Sequence, residues 1–388
     1  MKTIPASILV LALAGVADAG VTVVTGSGSA LALAVEAAAD GDTLLVRAGS
    51  YDSFDLNGKS LAIVAYPGES VSLLASTPVA ARVRNLLPGQ TCILDGLRAR
   101  ALEVRDCQGA VRLARLDVFS GGGQVVNSTN VSITASQFRC DLFFAAPIPG
   151  VAGLAVTNSN VALYGTHCQG GNGGIAPDVW GRLFSGPGAA GLSVSGGAVL
   201  VSGGTLRGGN GGPGTSAPGF PCGTGGVGGP GLGSTGDVRV LDAASIGGTG
   251  GIQCGIPLAD GPAFAGSVTT IPGLHRSMFA PGPVREGTSM SLSFGGQPDD
   301  RIVFVGSAGT RWILDTVLRG VVLYGTGARR QALGTVGPAG TTSASWTAPM
   351  LPAGVDARWL HVQSVFVDTN GVPTLSSPST IVYFGASF

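Results

Sequence analysis

After its first forty residues the chain alternates short apolar runs with turn residues. Leu44-Leu45-Val46, Leu61-Ala62-Ile63-Val64, Val111-Arg112-Leu113 and Val131-Ser132-Ile133 are typical. Runs of three to five residues, with apolar positions alternating with small or polar ones, predict short strands. One segment breaks this pattern. Ser29 to Ala39 is rich in Ala and Leu and predicts a helix. Ser29 is its expected N-cap and Gly41 its stop signal.

The strand pattern repeats. Residues 153–174 read GLAVTNSNVALYGTHCQGGNGG and residues 191–212 read GLSVSGGAVLVSGGTLRGGNGG, with 10 identities in 22 aligned positions. Looser copies flank them. Taking Val104, Val126, Val156, Val194 and Val240 as equivalents gives spacings of 22, 30, 38 and 46 residues. A constant strand core with a lengthening insertion explains this series. A short repeat cannot bury its own apolar face, so successive copies must stack. The insertions should leave one corner of successive coils and lie beside one another.

With GDTLLVRAGSYDSFDLNGKSLAIVAYPG at 41–68 and the preceding helix, these coils resemble the right-handed parallel β-helix, or pectate-lyase-like, family. The resemblance covers roughly residues 20–270 and implies that the helix caps one end of the solenoid. It specifies fold and little about activity.

The pattern changes near Pro272. Alternating segments between Ser289 and Phe384, separated by turns such as Gln297-Pro298-Asp299-Asp300, predict an Ig-like β-sandwich over 271–388. In Trp359 to Val367 neither face is cleanly polar, so a central strand is expected. LPAGVDARWLHVQSVFVDTNGVPTLSSPSTIVYF is similar to the carboxyl-terminal sandwich of many exported bacterial proteins, which implies an accessory or surface module. The expected fold class is therefore all-β: a capped parallel β-helix with long Gly-rich loops, then a sandwich.

Composition narrows the function. Of 388 residues, 66 are Gly and only 11% are charged, with 22 basic side chains balancing 22 acidic ones. No basic surface for nucleic acid is expected. Collagen needs Gly at every third position, and across the whole chain no such period holds. Residues 1–19 read as a secretory signal: Lys2, an apolar run from Ile8 to Val16, and Ala17-Asp18-Ala19 as the cleavage site. That run is too short to span a bilayer, and no later segment is longer. A secreted or cell-surface protein is expected.

Export makes the six cysteines disulfide candidates. Cys222 and Cys254 lie in neighbouring loops and are expected to be bridged. Cys140 and Cys168 fall near equivalent places on consecutive coils, so a bridge or a buried ladder fits. Cys92 and Cys107 remain by elimination. Without a C-x-x-C pair, and with His167, His275 and His361 far apart, neither a metal site nor a cofactor is expected.

Residues 165–255 hold 32 of the glycines. Two readings fit: flexible linkers, or ordered loops hydrogen-bonded side by side. Asp-Gly calcium repeats do not fit, because the Gly runs carry no acid. Gly58-Lys59-Ser60 lacks the upstream Gly of a phosphate loop, so Lys59 is expected at a turn. Asp178, Trp180, Arg182 and Phe184 interrupt one loop with two aromatics, an acid and a base. They are either a glycan-stacking patch or a plug against the solenoid wall.

Catalysis on a polysaccharide needs converging carboxylates. The acids here are scattered: Glu103, Asp106, Asp117, Asp141, Asp178, Asp237 and Asp242. Glu103, Asp106 and Asp117 are expected to meet Arg105, Arg112 and Arg115 in a surface ion-pair ladder. No catalytic residue is assigned. The expected role is non-catalytic: adhesion, matrix structure or binding of an extracellular polysaccharide or cell-surface component. The alternative is a lyase or hydrolase of an acidic polysaccharide.

Overall fold

A computed structural model describes residues 19–74, 79–140, 148–178, 181–216 and 221–388. The expected signal segment, save Ala19, lies outside the described residues, as does Trp180.

A 22-stranded parallel sheet curls into a solenoid-like body with three faces. The first face stacks Phe54–Asn57, Ala81–Arg84, Leu102–Arg105 and Gly123–Val126. The second stacks Asp42–Val46, Leu61–Ala65, Thr91–Asp95, Ala110–Ala114 and Asn130–Thr134. The third stacks Gly49–Tyr51, Val71–Leu73, Leu97–Ala99, Asp117–Val118 and Gln137–Arg139. Two long strands, Leu154–Gln169 and Leu192–Arg207, pass through all three faces.

Strand alternation fills the interior. Leu61, Cys92, Val111, Val131, Val161, Val199 and Val238 form one vertical file of the core. Each side chain of this size stabilises the fold by roughly 1.5–3 kcal/mol when buried. The helix Ala30–Ala37 closes the N-terminal end through Leu31 and Val35. Ser29 makes no side-chain cap there. The C-terminal end of the helix is tied down instead. Lys59 Nζ donates to the carbonyls of Val35, Glu36 and Ala38 at 2.7–3.0 Å.

A left-handed residue recurs at two of the three corners, followed directly by a second at Gly197 and Gly204. Gly58, Asn85, Asp106, Asn127, Asn158 and Gly196 occupy the first corner, and Gly96, Arg115, Ala135, Gly165, Gly203 and Asp242 the second. Asn, Asp and Gly suit positive φ because they bear it at least steric cost. Side chains reinforce the first corner: Asn85 Nδ2 donates to Asn57 Oδ1 at 2.8 Å, and Asn127 Nδ2 to Asp106 Oδ1 at 2.9 Å. The third corner has no such fixed turn, and all the long insertions leave from it.

This register corrects the repeat alignment. Val104 stacks on Val125, not Val126, and Val194 stacks on Ser234, while Val240 belongs to the second face, above Val201. The coils therefore lengthen less steeply than the Val series suggests. Register also excludes the Cys140–Cys168 bridge. Cys168 stacks on Phe138, two positions before Cys140, and both are buried without a disulfide between them. Cys92 and Cys107 are free thiols in the core. Burial pushes the Cys168 thiol up to about 12, so it stays protonated.

The C-terminal region is antiparallel, apart from one short parallel pairing. Ser277–Phe279, Ser289–Gly295 and Thr341–Thr347 form one sheet. Val284–Arg285, Ser379–Phe384, Ala357–Val367, Arg301–Ser307 and Arg329–Thr335 form a second. Phe294, Trp346, Phe304, Leu360, Phe366 and Tyr383 fill the core between them. Ala357–Val367 is central, flanked by Arg301–Ser307 and Ser379–Phe384. Its second face, with half-buried Trp359 and buried His361 and Gln363, is also covered because it packs on the solenoid side. Leu45, Val64 and Ile93 meet Trp359, Val382 and Phe384; farther along, Tyr164 and Leu200 meet Val321 and Leu323. Trp359 Nε1 donates to Thr43 Oγ1 at 3.0 Å. Among the described residues no helix is long and apolar enough to cross a membrane.

Candidate functional site

The insertions at the third corner are ordered by backbone hydrogen bonds. Each leaves the solenoid, turns and returns, giving an outgoing and a returning layer. Within the outgoing layer Gly173 donates to the Asn210 carbonyl and Gly211 to Thr249, both at 2.9 Å. Within the returning layer Gly188 donates to Val227 at 2.9 Å and Gly228 to Ala259 at 3.0 Å. Between layers Ala189 donates to Gly171, Gly209 to Ala189, Gly229 to Gly209 and Gly248 to Gly229, at 2.8–2.9 Å. Three residues along, Gly186, Gly212, Gly226 and Gly251 repeat the zigzag through Gly174, Gly186, Gly212 and Gly226.

The bonds thus recur every third residue, the period of polyproline-II backbone. Two residues of each three face neighbouring strands and are almost all Gly, because the backbones approach too closely for a Cβ. The third position faces outward and takes Asn172, Asn210, Thr249, Pro187, Val227 or Pro230. Pro fits there because no N–H is required. The Asn side chains complete the ladder: Asn172 Oδ1 accepts the Asn210 amide at 2.8 Å, and Asn210 Oδ1 the Thr249 amide at 3.0 Å. The absence of a chain-wide Gly period hid this local one. The signal is present in Gly170-Gly171-Asn172-Gly173-Gly174 and Gly208-Gly209-Asn210-Gly211-Gly212.

A disulfide joins Cys222 to Cys254, with Cα atoms 6.1 Å apart, and ties the tips of two successive loops. At the neighbouring tip Ile175–Pro177 pairs with Leu183–Ser185 as a hairpin. There Asp178 and Arg182 face each other: Arg182 Nε and Nη2 both lie 2.6 Å from Asp178 Oδ2, and the Arg182 amide donates to Asp178 Oδ1 at 3.0 Å. The Arg182 guanidinium lies 5.2 Å from the Phe184 ring centroid. Arg182 is thus committed to its own loop and helps close the hairpin.

Several solenoid carboxylates are committed too. Glu103 accepts from Arg82 Nε at 2.8 Å and Arg105 Nε at 2.6 Å. Asp95 pairs with Arg115 at 2.6 Å, Asp55 with Arg84 at 2.7 Å, and Asp117 with Arg139 at 3.0 Å and Arg98 at 3.2 Å. Of the expected pairs Glu103–Arg105 forms, whereas Asp106 and Asp117 do not meet Arg112 or Arg115. Asp106 accepts from Asn127, and Arg112 is buried under the C-terminal sheet, bonded to the Val111 and Asn130 carbonyls and Asn130 Oδ1. Burial raises the Glu103 carboxyl, but its two guanidiniums outweigh this and leave it lowered. Among the described residues no group of three His, Cys, Asp or Glu side chains is placed to hold a metal.

A cleft of about 340 Å³ opens on the third face, at the root of the outgoing loop layer. The expected site residues do not include its outward side chains, which come from three successive coils in register. Gln137, His167 and Thr205 form one file; Arg139, Gln169 and Arg207 form the next. Strand alternation puts Phe138, Cys168 and Leu206 inward and these six outward. Arg139 Nε is buried without a hydrogen-bond partner, and Arg207 makes no ion pair among the described residues. The sequence signal is a polar residue on each side of an inward one, repeated in three coils.

No family model, curated protein or solved structure matches the chain.

Proposed function

We propose that the chain is an exported, non-catalytic, right-handed parallel β-helix protein of the cell surface, serving adhesion or matrix structure through glycan binding. In this reading residues 20–270 form the β-helix and 271–388 an Ig-like sandwich that stiffens one of its faces. The loop bundle is the presented edge, and the third-face cleft together with Trp180 and Phe184 contacts the glycan.

The observation that carries this reading is the pairing of solenoid carboxylates with arginines. Glu103, Asp95, Asp55 and Asp117 are each held by at least one guanidinium. A glycosidase needs one carboxyl to protonate the leaving oxygen and another to act on the sugar or water. The cleft instead presents amide, imidazole, hydroxyl and guanidinium groups. A glycan array run beside turnover assays on neutral and acidic polysaccharides tests the proposal. Binding without cleavage is the expected result. Product release from any polysaccharide overturns it in favour of a lyase or hydrolase.

A further inference from the structure

We infer that the third-face cleft selects polysaccharides bearing one anionic group per disaccharide. This deepens the glycan reading and rests on it. All six outward side chains lining the cleft can donate a hydrogen bond, and none is a carboxylate. Among the described residues the nearest acid in the same face, Asp117, is spanned by both Arg98 and Arg139, so its charge is more than offset. Arg207 adds a further exposed guanidinium. Guanidinium forks bind carboxylate and sulfate oxygens more strongly than neutral hydroxyls do.

Register sets the spacing. Arg139, Gln169 and Arg207 occupy equivalent positions on three consecutive coils. Neighbouring parallel strands lie about 4.8 Å apart, so the two arginine positions are about 10 Å apart across one intervening rung. That span matches a disaccharide lying along the solenoid axis rather than a single ring. The intervening rung carries Gln169 and His167, which suit the uncharged hydroxyls and amide of the sugar between two acids. A polymer charged on every ring would place an acid over Gln169, where no guanidinium waits.

The test is titration of the full protein with hyaluronan, with polygalacturonate and with dextran, at low and high salt. Hyaluronan carries one carboxylate per disaccharide, polygalacturonate one per ring, and dextran none. Hyaluronan should bind most tightly. Arg207→Gln and Arg139→Gln should each weaken it about tenfold, equivalent to about 1.4 kcal/mol, and Arg239→Gln on the second face should leave it unchanged. Arg207 is exposed, so its variant keeps the fold, checked by an unchanged melting temperature. Dextran binding as tightly as hyaluronan, or Arg207→Gln without effect, overturns the charge selectivity while leaving glycan binding intact. Tighter binding of polygalacturonate overturns the spacing. Binding of no polysaccharide overturns this inference and the glycan reading together.

Discussion

Gly209 meets Gly171 through backbone alone: a Cβ on Gly209 would collide with the Gly171 carbonyl oxygen. The same holds for Gly226 against Gly186 and Gly248 against Gly209. Gly209→Ala should therefore pry the loop layers apart, with a loss of about 1–3 kcal/mol, as for overpacking of a core. Val227→Ala, at an outward third position, should change stability by less than about 0.5 kcal/mol. Hydrogen exchange of the 208–231 amides separates the two. Equal protection in both variants would contradict close backbone packing.

Removing the Cys222–Cys254 bridge should loosen the loop tips and leave the solenoid intact. The cysteines are 32 residues apart, and closing a loop of that order constrains the unfolded chain by about 3.7 kcal/mol. Cys222→Ala with Cys254→Ala should expose the tips to limited proteolysis, with cuts confined to the Gly-rich loops. Cuts spread through the solenoid would show that the bundle does more than decorate it.

The contact between solenoid and C-terminal sheets should depend on Tyr164. Its hydroxyl accepts the Val321 amide at 3.2 Å in a buried setting. Tyr164→Phe leaves that N–H without its partner, a loss of about 1–3 kcal/mol. The melting temperature should fall. An unchanged value would mean that Val321 finds another acceptor.

Acid should weaken the same contact through His361. Burial, helped by the nearby Arg112 charge, lowers its pKa to about 3. The folded state thus keeps His361 neutral, whereas the unfolded chain takes up a proton near the ordinary value of about 6.5. Stability from this group is complete above that value and is lost as pH falls from about 6.5 towards about 3. At about pH 5 the loss is about 2 kcal/mol, from about 1.4 kcal/mol per pKa unit. Urea midpoints at about pH 7.5 and about pH 5 should differ more in the natural protein than in His361→Gln. Parallel shifts would remove His361 as the cause.

Local pattern carried the strands, because alternation at Val111-Arg112-Leu113 is a property of three adjacent residues. It also carried the lengthening of the coils, because GGNGG recurs at a fixed offset from the strand before it. Register was less legible. Val125 and Val126 are both apolar, and only the pairing of Val125 with Val104 shows which points inward. The Cys140–Cys168 pairing failed for the same reason: two residues of register separate partners that spacing alone makes adjacent. The cleft escaped notice because Gln137, His167 and Thr205 lie 30 or more residues apart and meet only through stacking. The Asp178-Arg182 patch is visible as a sequence, but its ion pair depends on the hairpin that closes around it.

The unequal corners divide the chain between inheritance and novelty. Where a left-handed residue recurs in coil after coil, the turns stay within six residues and the rungs on either side keep their register. Where the chain leaves and returns through paired polyglycine strands, three residues can be inserted into each and the new turn finds bonds on both sides. The protein can therefore lengthen its loops in units of three, as a bookshelf takes deeper books, while the frame behind them keeps its dimensions.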